Sequence, residues 1–308
     1  MSTVLKPPAP ASTPARPANQ KRPKKRRKGA GAHVLEPTVL TRVGLIGVIA
    51  LSIFPLYWMI VIASRDTAAA SQFPPVLLPG GNLGANVERA LTDPQANLLL
   101  GLQNSFIITG TVTVSVVLIS SLAGFAFAKL QFKGSKLLMF FVMAIMMVPI
   151  QHLGLVPMYL MMVELEWLDT YQAAILPFLV NGFGIFLMRQ YTLQSVPDEL
   201  IEAARIDGAS TLRIWWRIVL PALRPGMVVL GLLTFMLNWN EFLWPFLVLS
   251  SETPTIQLAI RQISVGLYST DLSMVFTGTL ISIIPITILF IIFGRQIVSG
   301  IMEGSTKQ

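Results

Sequence analysis

Six long stretches without a charged side chain constrain the fold of this sequence more than any other feature. In chain order they are Val43–Ala63, Phe106–Phe127, Leu137–Val163, Thr170–Met188, Gly226–Asn240 and Leu272–Gly294. About 20 apolar residues in an α-helix cross the hydrocarbon core of a bilayer. Five stretches meet this length, and the stretch at 226–240 meets it only if Glu241 lies in the membrane. A chain of 308 residues cannot bury six such helices in a soluble core. We therefore predict an all-α polytopic membrane protein with six transmembrane helices.

Composition supports this class and narrows the chemistry. Hydrophobic residues make up 53% of the chain and charged residues 12%, about half the usual charged share of a soluble protein. The first stretch is long enough to span and no small-residue cleavage site follows it closely, so a signal peptide is not expected. With no cysteine, and with His33 and His152 far apart, we expect neither a metal site nor a cofactor.

The net charge of +8 is a property of the N-terminal residues. Residues 1–36 carry a net +8 and the remainder is neutral, so a nucleic-acid partner is not expected. We predict that residues 1–40 form a disordered basic cytoplasmic tail. Its basic run, Lys21–Lys28, either binds anionic membrane lipid or is a solvated segment that only fixes topology.

Basic residues also orient the chain. With the N-terminus in the cytoplasm, 20 basic residues fall inside and only Arg65, Arg89 and Arg261 fall outside. We therefore predict that both termini are cytoplasmic. Residues 41–300 form the six-span domain, residues 301–308 a cytoplasmic C-terminal tail, and residues 189–224 a cytoplasmic loop between the fourth and fifth spans.

The loop 189–224 has the pattern of two short helices joined at a glycine. Ser195 is suited to cap the first helix and Pro197 to its first turn, with Asp198 and Glu199 at the positive end of the dipole. Gly208 is suited to a left-handed residue that ends it.

The second helix is predicted at Ser210–Leu220, ended by Pro221 and Pro225. An apolar side is expected from Leu212, Trp215, Trp216 and Val219. Without further information, such a pair of helices would also fit a loop that rests on lipid.

Residues 202–221 read EAARIDGASTLRIWWRIVLP. This segment resembles the EAA motif of binding-protein-dependent ABC importer permeases, which has a Glu-Ala-Ala start, a central glycine and a closing Ile-x-Leu-Pro. The matching residues are Glu202, Ala203, Ala204, Asp207, Gly208, Ala209, Ile218, Leu220 and Pro221.

The resemblance implies a permease subunit of an ATP-driven importer in the bacterial inner membrane. In this family the loop forms a coupling helix that docks on a cytoplasmic ATPase subunit, where small alanines allow close approach and carboxylates meet basic groups. The chain has no G-x-x-x-x-G-K-[ST] segment, so ATP hydrolysis is expected in a separate subunit, and the chain itself is not an enzyme. The expected partners are ATP-binding cassette ATPase subunits, a second and different permease, and an extracytoplasmic solute-binding protein.

Three further segments resemble the carbohydrate-uptake branch of this family, the maltose/glycerol-phosphate-type permeases. They are Asn104–Ser105, Leu122–Lys129 and Asn238–Phe246. The resemblance implies import of a sugar or oligosaccharide. Import of another solute, an ATP-independent secondary transporter and a membrane sensor or scaffold are the alternatives.

Polar residues inside a span usually face protein or a water-filled path. Asn238, Asn240, Glu241 and Asn181 are therefore candidates for the substrate path, with interhelical hydrogen bonding as the alternative. Trp239 and Trp244 would either stack on sugar rings or join the aromatic belt at the membrane interface.

Overall fold

The structure, a computed structural model, describes residues 39–70, 72–147, 153–265 and 271–305, and for residues 69, 295 and 297–305 only the backbone. All regular structure in these ranges is helical, which confirms the predicted all-α class. The basic tail at 1–38, both histidines and residues 306–308 lie outside the described residues.

Fourteen helices follow one another along the described chain. They are α1 (Val39–Ala63), α2 (Thr67–Ala70), α3 (Leu83–Thr92), α4 (Leu98–Lys129), α5 (Ser135–Met147), α6 (Leu155–Glu164), α7 (Tyr171–Phe178, ending in a 3-10 turn), α8 (Gly182–Ser195), α9 (Asp198–Ile206), α10 (Thr211–Ala222, containing a π-turn at Trp215–Val219), α11 (Arg224–Trp239), α12 (Leu243–Val248), α13 (Ile256–Ser264) and α14 (Leu272–Ser305).

Three helices are long and apolar enough to cross a membrane: α1, α4 and the part of α14 from Leu272 to Gly294. Two bent pairs also qualify when each is taken as one span, α7 with α8 at 45° and α10 with α11 at 80°. The predicted stretch 137–163 contains two shorter apolar helices, α5 and α6, with residues 148–152 between them outside the described part. The described helices thus give three to five spans, and the sixth stays a prediction.

The chain divides into two units, residues 1–52 and 53–308. The described part of the first unit is the start of α1, where every side chain from Val39 to Ser52 is exposed. In the second unit the end of α1 is buried at Met59 and at Val61–Ala63.

Helix α4 lies at the centre of the second unit, against α8, α11 and α13. Its contact with α8 is close because glycines replace larger side chains. A Cβ added to Gly124 would lie 2.7 Å from the backbone nitrogen of Arg189, and one added to Gly184 would lie 2.5 Å from the Ser120 hydroxyl. Small residues that let helix backbones approach are the usual means of helix packing in membranes.

Candidate functional site

The first helix of the loop 189–224 begins later than the sequence suggested. Ser195 is the last residue of α8, and Pro197 occupies the cap position before α9. The prediction that Ser195 caps this helix is therefore wrong, because α8 continues to that residue. Asp198 and Glu199 do lie in the first turn of α9, where carboxylates favour the positive end of the dipole.

Gly208 ends α9 in the left-handed conformation that the sequence predicted. Its φ is +75°, a backbone angle that glycine adopts without the cost a Cβ would bring. The turn is closed by backbone hydrogen bonds from Gly208 to Arg205 and from Ala209 to Ala204. No atom of the described residues lies within 4 Å of a Cβ added to Gly208, so the backbone angle, and not space, requires glycine here.

Helix α10 starts as expected, with the Ser210 hydroxyl accepting a hydrogen bond from the Arg213 amide. The prediction that the apolar residues of this helix lie on one side is wrong. Val219 is buried, but Leu212 is 64% and Trp216 61% exposed. The spacing of the predicted side assumes 3.6 residues per turn, and the π-turn at Trp215–Val219 has a wider turn, which alters the register of the side chains.

Beneath the loop lies an apolar cluster, here called the loop cluster. Its buried members are Phe125, Val196, Ile201, Ile214, Val219 and Leu223. Three residues of the motif, Ala204, Ala209 and Ile218, pack against it. These motif residues hold the loop to the body of the protein, and Phe125 supplies the contact with α4.

The remaining motif residues face outward. Glu202, Ala203, Asp207 and Gly208 are exposed, as is Pro221, while Leu220 is half-buried. Neither the Glu202 nor the Asp207 carboxylate has a hydrogen-bond or ion-pair partner among the described residues.

Two large apolar side chains share this outward surface. Leu200 is 51% and Ile206 86% exposed. The motif match did not single them out, although Ile206 is part of the segment. We call Leu200, Glu202, Ala203, Ile206 and Asp207 the α9 surface.

An ion pair joins α9 to α4 beside this surface. The Lys129 ammonium donates to Asp198 Oδ1 at 2.7 Å, and the Lys129 side chain is only 6% exposed whereas that of Asp198 is 75% exposed. A cleft of about 470 Å³ adjoins the pair, with Glu202 and Arg205 on one wall and Leu130 and Gln131 on the other. Sequence reasoning placed Lys129 in a family-like segment and among the basic residues of the cytoplasmic side, but it missed this pairing.

The four path candidates are each engaged locally and are not brought together by hydrogen bonds in the described chain. Asn181 caps α8 by accepting from the Gly184 amide at 3.2 Å. Asn238 and Asn240 donate to carbonyls one turn earlier on α11, at 2.9 and 2.8 Å. Glu241 accepts from the Trp244 amide at 3.1 Å.

Helix α11 also ends at Trp239. Glu241 therefore lies in the break between α11 and α12, and not on a continuous helix. Asn240 is exposed and Asn238 half-buried.

Both interpretations of the tryptophans are wrong. Trp239 is 1% and Trp244 2% exposed, so neither is available to a sugar ring or to the membrane interface. Each indole N–H is satisfied internally, that of Trp239 by the Ser282 carbonyl and that of Trp244 by the Ala173 carbonyl. The two rings are core anchors, which is a usual role for a large buried aromatic with one polar atom.

At the opposite end of α4, Asn104 and Ser105 are buried connectors. Asn104 donates to the Pro254 carbonyl at 2.9 Å and accepts from the Tyr171 hydroxyl at 2.7 Å. The Ser105 hydroxyl accepts from the Ile256 amide at 2.8 Å. The segment before α13 is thus fixed to α4.

Two aspartates hold loops together near this end. Asp169 accepts from the amide and hydroxyl of Ser250, at 2.9 and 2.8 Å, and from Thr253. Burial acts to raise the pKa of Asp169, but the hydrogen bonds from Thr253 and Ser250 outweigh it, and the pKa is lowered.

Asp271 joins α2 and α3 to the start of α14. It accepts from Thr67, from Ser273 at 2.8 Å and from Arg89 at 2.7 Å. Burial acts to raise its pKa, and the hydrogen bonds from Thr67, Ser273 and Arg89 bring the pKa down to about 2.

Residues 116–301 match the family described as binding-protein-dependent transport system inner membrane component. The chain belongs to this family. The match includes the entire loop 189–224 and the loop cluster. It also includes Lys129, which contacts Asp198, and Gly184, which contacts Asn181. The site described above therefore lies within the shared domain. The family is one of membrane subunits of transport systems.

Named relatives extend the likeness over most of the chain. The arabinooligosaccharides transport system permease protein AraQ of Halalkalibacterium halodurans is 36% identical over 205 residues, which is 66% of this chain and 72% of that protein. The sn-glycerol-3-phosphate transport system permease protein UgpE of Salmonella choleraesuis is 32% identical over 272 residues, 86% of this chain and 96% of that protein.

A solved structure shares the fold. A chain from the crystal structure of a bacterial ABC transporter involved in the import of the acidic polysaccharide alginate superposes with a TM-score of 0.73 and 25% identity. The match covers 83% of this chain and 95% of that chain. The permease resemblance inferred from residues 202–221 is therefore confirmed.

Proposed function

We propose that this chain is the permease subunit of an ATP-driven importer for a sugar or oligosaccharide, and that the α9 surface is where its ATPase partner binds. The family match and the permease relatives support the importer. The observation that carries the docking site is the exposure of Leu200 and Ile206 beside two carboxylates that have no partner in the described chain.

The α9 surface has the composition of a protein contact. Exposed apolar side chains gain free energy when a partner removes them from water. Glu202 and Asp207 can accept charge-assisted hydrogen bonds from arginine or lysine of that partner. Ala203, also exposed, lets another backbone approach.

The loop can transmit force because it is anchored on its inner side. Ile201 and Ala204 of α9 contact the loop cluster, and Asp198 contacts Lys129. When two ATPase subunits close on ATP, α9 moves with them, and the attached helices shift between inward-open and outward-open states. This is a two-state change biased by nucleotide, and no bond in this chain is made or broken.

The assembly that fits this role has six spans in this chain, both termini in the cytoplasm and a second, different permease subunit across the path. An extracytoplasmic binding protein delivers the substrate. The excess of basic residues on the side that holds the loop 189–224 supports this orientation.

The substrate class follows from the relatives. The named relatives are permease proteins of transport systems for arabinooligosaccharides and for sn-glycerol-3-phosphate, and the structural relative belongs to a transporter involved in the import of alginate. Asn240 is the strongest of the path candidates because it is exposed and its side-chain carbonyl has no partner in the described chain. We propose that Asn181, Asn238 and Glu241 contribute to the path mainly by shaping the ends of α8, α11 and α12.

Purification of the tagged chain from its native membrane in mild detergent tests the importer. We expect an ATPase subunit, a second permease and a solute-binding protein to copurify, and the ligand of the binding protein to name the substrate. A chain that purifies alone and transports in vesicles without ATP would show that the importer assignment is wrong.

Site-specific crosslinking tests the docking surface. The natural chain has no cysteine, so an Ala203→Cys variant carries a single reactive thiol. We expect it to crosslink to the ATPase subunit with a yield that changes on addition of ATP. Lys133→Cys, at an exposed position beyond the end of α4, is the control and should give a weaker crosslink. Equal yields from both positions would contradict the assignment.

A further inference from the structure

Helix α4 is attached at both ends to segments that lie on opposite sides of the second unit. At its C-terminal end, Lys129 is the last helical residue and Asp198 is the first residue of α9. Their 2.7 Å contact places a cation at one helix C-terminus and an anion at the other helix N-terminus, an arrangement that both helix dipoles favour.

The N-terminal end of α4 is attached by neutral hydrogen bonds. Asn104 and Ser105 hold Pro254 and Ile256, and both polar side chains are buried, at 2% and 3% exposure. A Cβ on Gly101 would lie 3.0 Å from the Thr255 carbonyl oxygen, so the segment also lies directly against the helix. These contacts fix the segment before α13 in position and in direction.

Between the two attachments, α4 is one uninterrupted helix of 32 residues with no proline. The rise of an α-helix puts Ser105 and Lys129 about 36 Å apart. The helix is continuous from Leu98 to Lys129, so displacement of one end is passed along the axis to the other.

We infer that α4 carries the movement of α9 to the segment 250–256, and that the Lys129–Asp198 ion pair is the attachment that makes it do so. This inference rests on the proposed function, since it requires an ATPase partner that moves α9. Lys129 is then a positioning residue, which acts through Asp198 and touches neither nucleotide nor substrate.

The ion pair adds a directional contact between α4 and α9, which the loop cluster cannot supply. Apolar contact between Phe125 and the cluster is non-directional and would allow α9 to slide over the end of α4. The Lys129 side chain is nearly buried and has one carboxylate partner in the described chain. The pair opposes such sliding, because its separation would leave the ammonium without an anion.

A spin label on the segment 250–256 reports the movement. Glu252 is exposed. The Glu252→Cys variant carries a single thiol, because the natural chain has no cysteine. Labelling a complex that contains the natural chain measures the background from thiols of the partner subunits. The label is followed by electron paramagnetic resonance in the complete reconstituted complex, with and without ATP. The unaltered complex should show an ATP-dependent change in label mobility.

The test variants are Lys129→Met and Asp198→Asn, each of which removes one charge, and the charge exchange K129D/D198K. Lys133→Met and Glu199→Gln are matched controls, since each removes an exposed charge close by that has no partner in the described chain. Complex assembly and basal ATPase activity are measured for every variant.

We expect the two single variants to assemble and hydrolyse ATP while the ATP-dependent change falls at least about fivefold, the lower end of usual coupling effects. The exchange variant should regain part of it, because the pair is restored although each charge now opposes its helix dipole, and both controls should keep it. Retention of the change in Lys129→Met and Asp198→Asn would overturn the role of the ion pair. An unaltered complex that contains the ATPase and shows no change would overturn the role of α4, whereas absence of an ATPase from the complex would refute the proposed function itself.

Discussion

The two carboxylates of the α9 surface and two aspartates near the other end of α4 have opposite surroundings. On the α9 surface, Glu202 and Asp207 are exposed without partners in the described chain. Near the other end of α4, Asp169 and Asp271 each accept several hydrogen bonds from neighbouring loops and helices. Carboxylates that the fold has already satisfied stabilise the fold, whereas unsatisfied ones are available to another protein.

The difference in surroundings explains the difference in role. Asp169 and Asp271 lie between elements that are distant in sequence, and their lowered pKa values reflect donors that favour the charged form. The α9 surface instead projects from a helix whose other face is packed on the loop cluster. The carboxylates of Asp169 and Asp271 are satisfied within the fold, and the α9 surface is where we propose that a partner binds.

The largest expected effect comes from Gly124→Leu, which would disturb the loop end alone. A side chain there meets the Arg189 nitrogen at 2.7 Å and Met188 at 2.8 Å, so α8 must move away from α4. Overpacking of this kind costs about 1–3 kcal/mol. Thermal unfolding in detergent measures this loss of stability. Gly110→Leu is the control, because no atom in the described part of the chain lies within 4 Å of a Cβ at Gly110. Equal loss in both variants would mean that the α4–α8 contact is not tight.

Glu202→Lys should separate binding from stability. We expect transport by the reconstituted complex to fall about tenfold, equivalent to about 1.4 kcal/mol, because a cation replaces an anion at the partner contact. The free energy of unfolding should change by less than about 0.5 kcal/mol, as for other exposed sites. Glu88→Lys reverses an exposed acid on α3 and should leave transport unchanged. Similar transport by both variants would remove Glu202 from the docking surface.

Asp271→Asn should show the reverse pattern, with stability lowered and ATPase binding retained. Loss of the charge weakens the contacts with Arg89 and Thr67, and a partly exposed ion pair contributes about 1 kcal/mol or less. Thermal unfolding and copurification of the ATPase measure the two effects. Asp271 would belong to a functional contact, and not to a structural one, if binding fell and stability did not.

Acid should remove the contribution of Asp271 over a defined range. Its pKa is lowered from 3.8 to about 2, so its stabilising effect is complete above about pH 4 and is lost as the pH falls towards 2. The difference in unfolding temperature between natural chain and Asp271→Asn should be constant from about pH 5 to 8 and shrink below about pH 4. A difference in unfolding temperature that grew as the pH fell would contradict the conclusion that ionised Asp271 stabilises the fold.

Local backbone features of the loop were predictable because they depend on a few neighbouring residues. Gly208 and Asp198 occupy the turn and first-turn positions that their chemistry favours, whereas the predicted cap at Ser195 is wrong because α8 continues to that residue. The family also followed from this segment, since a fixed spacing over 20 residues is a specific signal.

Features that depend on tertiary packing were not predictable. Whether Trp239 and Trp244 face lipid, substrate or core depends on which carbonyl each indole reaches, and those carbonyls are 43 and 71 residues away in sequence. The partner of Lys129 is 69 residues away. The spacing of the apolar residues in α10 suggested one face, and the π-turn overrode it.

The π-turn at Trp215–Val219 absorbs one residue of chain within α10. A wide turn holds one residue more than the regular helix would need, so the residues on either side keep nearly the orientation that they would have in a regular helix one residue shorter. With regular turns throughout, the same sequence would advance every following residue by about 100°, since each residue turns the helix by that angle. Leu223 would then turn away from the loop cluster, to which it now belongs. The π-turn therefore allows a segment of this length to place both Ile214 and Leu223 in the cluster.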